Sequence, residues 1–165
     1  MVAGPVSIAP NLFLHPVRAD EIPALTRLQR AAYAPWLPVL GLEPLPYRAD
    51  YTELLADHEA WFVCRRTPDE PDEEIGALIL KAEPDHLLIW SVAVAAPAAG
   101  QGIGRALLAF AEAETVRRGL GEVRLYTNAL MTRNIALYRG VGYEETGRET
   151  TADGRHVVHM AKAVP

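Results

Sequence analysis

Cysteine and long apolar runs are both scarce in this sequence of 165 residues. The single cysteine, Cys64, excludes an intrachain disulfide and any metal site built from several cysteines. Its apolar neighbours at positions 61–63 favour a buried thiol in a strand over a reactive nucleophile. The longest nearly apolar run, residues 87–99, is interrupted by a serine and a proline and is shorter than the roughly 18 residues that span a bilayer. We therefore expect no membrane partner.

Basic residues are also few: the sequence has 16 basic and 21 acidic residues, and its formal net charge is -5. This balance is opposite in sign to the electrostatic footprint of a nucleic-acid-binding protein, so nucleic acid is not an expected partner. Residues 1–10 have no Lys or Arg ahead of their apolar residues, which a secretory signal would need, and a cytoplasmic location is expected. The length predicts an N-terminal tail, residues 1–10, and one domain, residues 11–165.

The hydrophobic pattern predicts an α/β (α+β) domain with one mixed, mostly antiparallel sheet of about seven strands and about four flanking helices. The predicted strands are residues 12–18, 61–66, 75–81, 87–95, 123–127, 143–148 and 156–162. The predicted helices are one capped by Asp20 and running to Tyr33, residues 50–58, residues 103–119 and one ending near Gly140. Four prolines exclude a regular element from residues 34–49. The strand, helix and strand between residues 87 and 127 predict a right-handed crossover and a parallel pair.

A glycine-rich segment, Gly-Gln-Gly-Ile-Gly-Arg at positions 100–105, lies between a predicted buried strand and a predicted helix. Glycines let the backbone approach a ligand closely, and the N–H groups of a first helical turn attract anions. A pyrophosphate suits this segment, and the alternative is a tight turn without a ligand. The spacing lacks both the third glycine of a dinucleotide-binding fingerprint and the lysine of a P-loop, so neither class is favoured.

Three segments together resemble the GNAT superfamily of acyl-CoA-dependent N-acyltransferases: SVAVAAP at 91–97, GQGIGRALL at 100–108 and ALYRGVGY at 136–143. The resemblance implies an acetyl-CoA-dependent N-acetyltransferase with a cofactor cleft between the splayed, parallel fourth and fifth strands of the family fold. It also implies that strand backbone binds the pantetheine arm as an added strand would, and that the glycine-rich segment binds the pyrophosphate. The implied cofactor-binding residues are Val92, Ala93, Val94, Gly100, Gln101, Gly102, Ile103, Gly104, Arg105 and Asn134.

Two positions depart from the family pattern. Ala99 stands where the glycine motif usually opens with Arg or Gln, and Met131 stands where an Asn often precedes the conserved tyrosine by seven residues. Asn134 lies four residues before that tyrosine and shares a helix face with position 131. By resemblance Asn134 replaces the missing amide, whereas the alternative is an Asn that faces solvent or caps the helix.

Tyr138 matches the tyrosine of the family motif, which implies that it is the general acid that protonates the departing thiolate. A tyrosine with its ordinary pKa of about 10 is protonated at neutral pH. The alternative is an aromatic side chain that only packs. We expect direct transfer in a ternary complex, in which catalysis comes mainly from positioning. No base is singled out, and the candidates besides a relayed water are Glu43, Asp50, Glu83, His86 and Ser91. No metal site is expected.

The family places the acceptor site beside the first two helices, which here correspond to a stretch rich in aromatic residues and proline, residues 33–51. The predicted substrate-binding residues are Tyr33, Trp36 and Ser91. Such a wall suits an apolar or aromatic primary amine of a small molecule, and the acidic net charge favours a cation. The alternatives are a non-catalytic CoA-binding sensor and an acyltransferase acting on a protein amine. A homodimer is possible if the edge of the final strand, residues 157–161, is exposed.

Overall fold

The fold, described here for residues 4–165 of a computed structural model, is built on one sheet of eight strands in the order β1-β2-β3-β4-β5-β6-β8-β7. The strands are β1 Val6–Ala9, β2 Leu12–Pro16, β3 Glu59–Arg65, β4 Glu73–Ala82, β5 Leu87–Val94, β6 Glu122–Asn128, β7 Glu144–Thr150 and β8 His156–Ala163. The α-helices are α1 Ile22–Tyr33, α2 Leu37–Leu40, α3 Leu45–Arg48, α4 Tyr51–Leu54, α5 Ile103–Arg117 and α6 Thr132–Gly140. The predicted fold class is confirmed.

Each face of the sheet buries its own apolar cluster. Helices α5 and α6 cover one face, where residues such as Leu107 and Ile135 pack against Leu87 of β5. Helices α1 and α4 cover the other face, where Leu25 packs with Phe62. Cys64 is buried in this second cluster, and burial raises the pKa of its thiol to about 12, in keeping with the predicted unreactive cysteine.

The parallel pair predicted from the crossover is formed by β5 and β6, but only over three residue pairs. Leu87–Ile89 pair with Val123–Leu125, and beyond that point β5 follows β4 while β6 follows β8. The two strands therefore diverge and leave a cleft between residues 90–94 and 126–128. This is the splayed cleft that the resemblance implied.

A β-bulge at Trp90 marks the point where the two strands separate. In the pairing with β4, Ile89 lies opposite Leu80 and Ser91 lies opposite Ile79, so Trp90 is the extra residue. Trp90 packs against the α1 cluster, and Ser91 is hydrogen bonded to Gln29 of α1. The side chains of Trp90 and Ser91 therefore both face α1, although successive side chains of a regular strand face opposite sides. The bulge shifts this alternation by one residue, and Val92 packs against the cluster covered by α5.

The N-terminal part of the chain differs from the sequence prediction in three places. The predicted tail contains β1, which pairs with β2. Helix α1 begins at Ile22 after a 3₁₀ turn, and Asp20 forms an ion pair with Arg18 instead of capping the helix. The proline-rich stretch contains a 3₁₀ turn, residues 34–36, and helices α2 and α3, because each of these has proline in its first turn, where no hydrogen bond is lost.

The last strand of the sheet in sequence order, β8, lies between β6 and β7 and is paired on both sides. The prediction that the edge of residues 157–161 pairs with a second copy is therefore wrong, and β7 occupies that edge of the sheet. Among the described residues, no helix is long and apolar enough to cross a membrane.

Candidate active site

The glycine-rich segment begins α5 with a row of unpaired backbone N–H groups. Gly100 and Gly102 have φ angles of 76° and 79°, a left-handed conformation that favours glycine. The N–H of Ala106 donates to the carbonyl of Gly102, whereas the N–H groups of residues 100–105 donate to no acceptor among residues 4–165. No atom lies within 4 Å of a Cβ built at Gly100 or Gly102, so a ligand can approach this backbone. The segment has the properties of an anion site.

A cleft of about 520 Å³ opens beside these N–H groups. Its lining includes the predicted residues Val92, Ala93, Val94, Gly100, Gly102, Ile103, Gly104, Arg105 and Asn134. Arg133 also lines the cleft and was missed by the sequence reasoning, although its place in the first turn of α6, beside Asn134, was a usable signal. Gln101 does not line the cleft, because its side chain is hydrogen bonded to Arg65 and lines a separate pocket. Only the main chain of Gln101 is available to an anion here.

The backbone of β5 presents alternate residues to the cleft. The N–H of Ala95 donates to the carbonyl of Ile75 at 2.8 Å and therefore faces β4. Since the polar groups of successive strand residues point in opposite directions, Ala93 also faces β4, and Val92 and Val94 face the open side. The hydroxyl of Tyr33 donates to the carbonyl of Val92 at 3.3 Å, which agrees with this direction.

A second, smaller pocket of about 90 Å³ lies on the other side of the strand splay. Its walls come mainly from apolar residues of α2, α3, β5 and β6, and they include the predicted residues Tyr33 and Ser91. The third residue predicted to bind substrate, Trp36, lines the larger cleft instead. Met131, which stands at the usual Asn position, also lines the smaller pocket.

The larger cleft and the smaller pocket meet at four residues, because Tyr33, Val92, Asn134 and Tyr138 line both. These residues come from α1, β5 and α6, so three elements converge at one junction. Any groups held in the two cavities come closest to each other there.

Tyr138 brings its hydroxyl to this junction. The residue is 8% exposed and its ring packs edge to face on Tyr143, with 6.1 Å between ring centroids. Within the described part of the chain its hydroxyl has no hydrogen-bond partner in the protein, and this oxygen is open to the two cavities. Burial raises the pKa of Tyr138 well above its ordinary value, so the hydroxyl remains a proton donor at neutral pH.

A buried hydrogen-bond network holds the opposite wall of the junction. Gln29 Nε2 donates to Ser91 Oγ at 3.0 Å, and the Tyr33 hydroxyl lies 3.1 Å from the same oxygen. Burial raises the pKa of Tyr33 to about 12. Tyr33 is therefore a neutral hydroxyl that is fixed in place by Ser91 and by the carbonyl of Val92.

Of the five side chains considered as a base, Ser91 alone among the described residues lines either cavity. Glu83 pairs with Lys81 at 3.2 Å, His86 is hydrogen bonded to Asp85, and Asp50 caps α4. The junction therefore contains a candidate acid but neither a carboxylate nor an imidazole.

A group of possible metal ligands lies away from both cavities. The ligand atoms of His15, Glu21 and Glu74 are all within 4.8 Å of one another, although Glu21 is also paired with Arg18. The absence of a bound metal remains a prediction.

The GNAT family model, described as "Acetyltransferase (GNAT) family", matches residues 23–143, which include the splayed strands, the glycine-rich segment and Tyr138. The chain belongs to the GNAT family of acetyltransferases. It is therefore an acyltransferase by family, as the resemblance implied. No curated protein matches the chain.

Solved structures share the fold of this GNAT domain. The ribosomal-protein-S18-alanine N-acetyltransferase from Escherichia coli is 20% identical over 93% of this chain and 94% of its own, with a TM-score of 0.71. RimL, a ribosomal L7/L12 alpha-N-protein acetyltransferase in complex with coenzyme A, is 18% identical over 98% of both chains, with a TM-score of 0.74. PaiA N-acetyltransferase from Thermoplasma acidophilum, also with coenzyme A, is 17% identical over 92% and 98%, with a TM-score of 0.70. These likenesses show the fold. The identity of the acceptor has to be argued from the residues of the site.

Proposed function

We propose that this GNAT protein transfers an acetyl group from acetyl-CoA to the primary amine of a small molecule, directly and within a ternary complex. The observation that carries the proposal is the junction of the two cavities at Tyr33, Val92, Asn134 and Tyr138. A thioester in the larger cleft and an amine in the smaller pocket would meet beside the Tyr138 hydroxyl, with no covalent enzyme intermediate required.

The larger cleft fits acetyl-CoA in its chemistry. The free N–H groups of residues 100–105 suit the pyrophosphate, and Arg105 and Arg133 add positive charge. The outward backbone of Val92 and Val94 suits the amides of the pantetheine arm, and Asn134 offers a side-chain amide near its inner end. Bound acetyl-CoA supplies an activated acyl group as a thioester.

Tyr138 acts as the general acid in this proposal. The C–S bond of the thioester breaks as the C–N bond to the amine forms, and the Tyr138 hydroxyl donates its proton to the departing sulfur. The N–H of Val92 faces the same junction and would polarise the thioester carbonyl. The proton lost by the amine passes to water, because neither a carboxylate nor an imidazole lines the cavities in the described structure.

The smaller pocket is the proposed acceptor pocket. Its volume of about 90 Å³ limits the part of an acceptor that can enter it, and it is below the roughly 300 Å³ at which typical ligand sites begin. A compact small molecule suits this space, and a protein substrate would enter it with little more than one terminal residue.

The test is calorimetric titration with CoA and acetyl-CoA, followed by thiol release with a panel of primary amines. We expect acetyl-CoA binding, amine-dependent release, and a loss of about 100-fold or more in kcat for Tyr138→Phe with acetyl-CoA affinity unchanged. Tyr143→Phe is the matched control, since this buried hydroxyl next to Tyr138 lines neither cavity, and it should keep full activity.

The other outcomes separate the alternatives. Failure to bind CoA or acetyl-CoA would show that the glycine-rich segment is not a phosphate site. Tight binding with no release by any amine would favour a non-catalytic CoA sensor. Release with ribosomal-protein N-termini but with no small amine would favour a protein acceptor.

A further inference from the structure

Arg155 is the only charged residue among the described residues that line the acceptor pocket. It ends the hairpin loop between β7 and β8, directly before His156. The Arg155 N–H donates to Thr151 Oγ1 at 3.0 Å, and the Thr151 N–H donates to the Arg155 carbonyl at 2.9 Å. These two bonds fix the backbone that carries Arg155 to the pocket.

The guanidinium of Arg155 is largely buried but only partly paired. Its side chain is 12% exposed, and its Nε donates to Asp153 at 2.8 Å. Over residues 4–165 the two terminal nitrogens, Nη1 and Nη2, donate to no acceptor. A planar fork of N–H groups at the wall of a mainly apolar pocket matches the geometry of a carboxylate.

The remaining lining determines what else the ligand must carry. Leu40, Leu45, Ile89, Trp90 and Val157 give the pocket an apolar wall, and no described lining residue is Asp or Glu. A polyamine or other polycation would find a positive charge and no negative one there. The net charge of -5 favoured a cationic acceptor, but the local charge of the pocket favours an acceptor that also carries an anion.

We propose that the acceptor is a free α-amino acid with an apolar side chain. Arg155 binds the carboxylate, the apolar wall contacts the side chain, and the α-amine is directed to the junction at Tyr138. This inference rests on the proposed function, because it names the acceptor of that same site. It distinguishes a free amino acid from the N-terminus of a protein, in which the α-carboxylate has become an uncharged amide.

The experiment compares L-leucine with L-leucinamide, and L-phenylalanine with L-phenylalaninamide, in an acetyl-CoA-dependent thiol-release assay. Wild-type protein should prefer the acids, and Arg155→Gln should lower the ratio of kcat/KM for acid over amide by at least about tenfold, the value of a lost charge-assisted hydrogen bond. The loss should appear mainly in KM for the acid, with activity on the amide retained. Comparing this ratio between variant and wild type cancels the different basicity of the two amines.

Matched variants guard the interpretation. Arg148→Gln removes an exposed arginine from β7 that is paired with Glu145 and lines neither cavity, and it should leave the ratio unchanged. Arg155→Lys keeps the charge without the fork and should recover part of the preference. Arg155 does not line the larger cleft, so acetyl-CoA affinity reports whether each variant is folded.

Two results would overturn the inference. An unchanged ratio in Arg155→Gln would remove Arg155 as a carboxylate ligand while leaving the transferase intact. Release with none of the four compounds, but with another amine, would show a different acceptor class. Failure of the proposed function is distinct from both, because it means no release with any amine.

Discussion

Tyr138 shows how a single side chain acquires a chemical role from its surroundings. Its ring is packed against Tyr143, which fixes its direction, while its hydroxyl reaches the junction of the two cavities without a partner. Because no protein group pairs with this hydroxyl, it is available to a ligand atom in the cavities, and the proposed ligand atom is the thioester sulfur.

The pH dependence of turnover follows from the groups at the junction. Because water accepts the proton of the amine, we expect kcat/KM to rise with pH until the amine reaches its own pKa. The raised pKa of Tyr138 keeps the acid protonated, so no falling limb should appear below about pH 10. Rates for two amines of different basicity provide the measurement, since the rising limb should follow the amine. A rising limb at one fixed pH for both amines would instead reveal a base on the protein.

Removal of the Tyr33 hydroxyl should cost stability. Tyr33→Phe loses the bonds to Ser91 and to the carbonyl of Val92, and a net loss of about 1 kcal/mol in the free energy of unfolding is expected for a buried hydrogen bond. Urea denaturation measures this change. Tyr47→Phe is the control, because the Tyr47 ring stacks with Arg30 and its hydroxyl has no bond within residues 4–165. Equal stability of the two variants would contradict the network described here.

At the scale of elements, the pairing of β4 with β5 sets the position of the larger cleft, where acetyl-CoA is proposed to bind. A Cβ added to Gly76 of β4 would lie 2.5 Å from the carbonyl oxygen of Ala93 of β5. Only glycine allows the two backbones to approach this closely. The direction in which the backbone N–H and C=O groups of Val92 and Val94 face the cleft thus depends on a glycine in the neighbouring strand.

Gly76→Ala should therefore destabilise the protein and disturb cofactor binding together. We expect a loss of about 1–3 kcal/mol, the usual cost of overpacking, and weaker acetyl-CoA binding, since β5 must shift. Thermal or urea unfolding and calorimetry measure the two effects. Gly147→Ala in β7 provides the control, because nothing lies within 4 Å of its added Cβ. A Gly76→Ala protein as stable as the control would show that β4 and β5 adjust without strain.

Features encoded locally were predictable from the sequence, and features that depend on distant pairing were not. The glycine-rich segment and the α5 pattern are contiguous, so the free N–H groups at the start of α5 could be predicted, and their role as an anion site stays a prediction. Arg155 was missed because its approach to the pocket depends on the register of β8 with β6, in which Val157 lies opposite Asn128. The sequence could not predict either that Trp36 lines the larger cleft and not the smaller pocket, since this depends on how the 3₁₀ turn after α1 is oriented.

At the scale of the whole molecule, buried tyrosines link stability to alkaline pH. Burial raises the pKa values of Tyr33, Tyr51, Tyr138 and Tyr143 in the folded protein. In the unfolded chain these groups ionise near pH 10, so the folded state binds more protons above that pH. The free energy of unfolding should be steady near pH 8 and fall above about pH 10, by up to about 1.4 kcal/mol per pH unit for each such tyrosine.

Urea titrations between about pH 8 and 11 measure this slope. Tyr143→Phe removes one of the four groups and should make the slope shallower. A stability that stays constant above pH 10 would mean that the tyrosines are exposed to solvent in the folded protein.

The position of β8 also has a consequence for the order in which the protein acquires activity during synthesis. The ribosome makes β8 last of the eight strands, yet β8 lies between β6 and β7 and adjoins the loop that carries Arg155. The five strands β1 to β5 can pair earlier, because they are neighbours in sequence order. A nascent chain would thus complete β5, the proposed cofactor-binding strand, before it has the proposed acceptor pocket, and the proposed acetyl transfer would begin only after His156–Ala163 have joined the sheet.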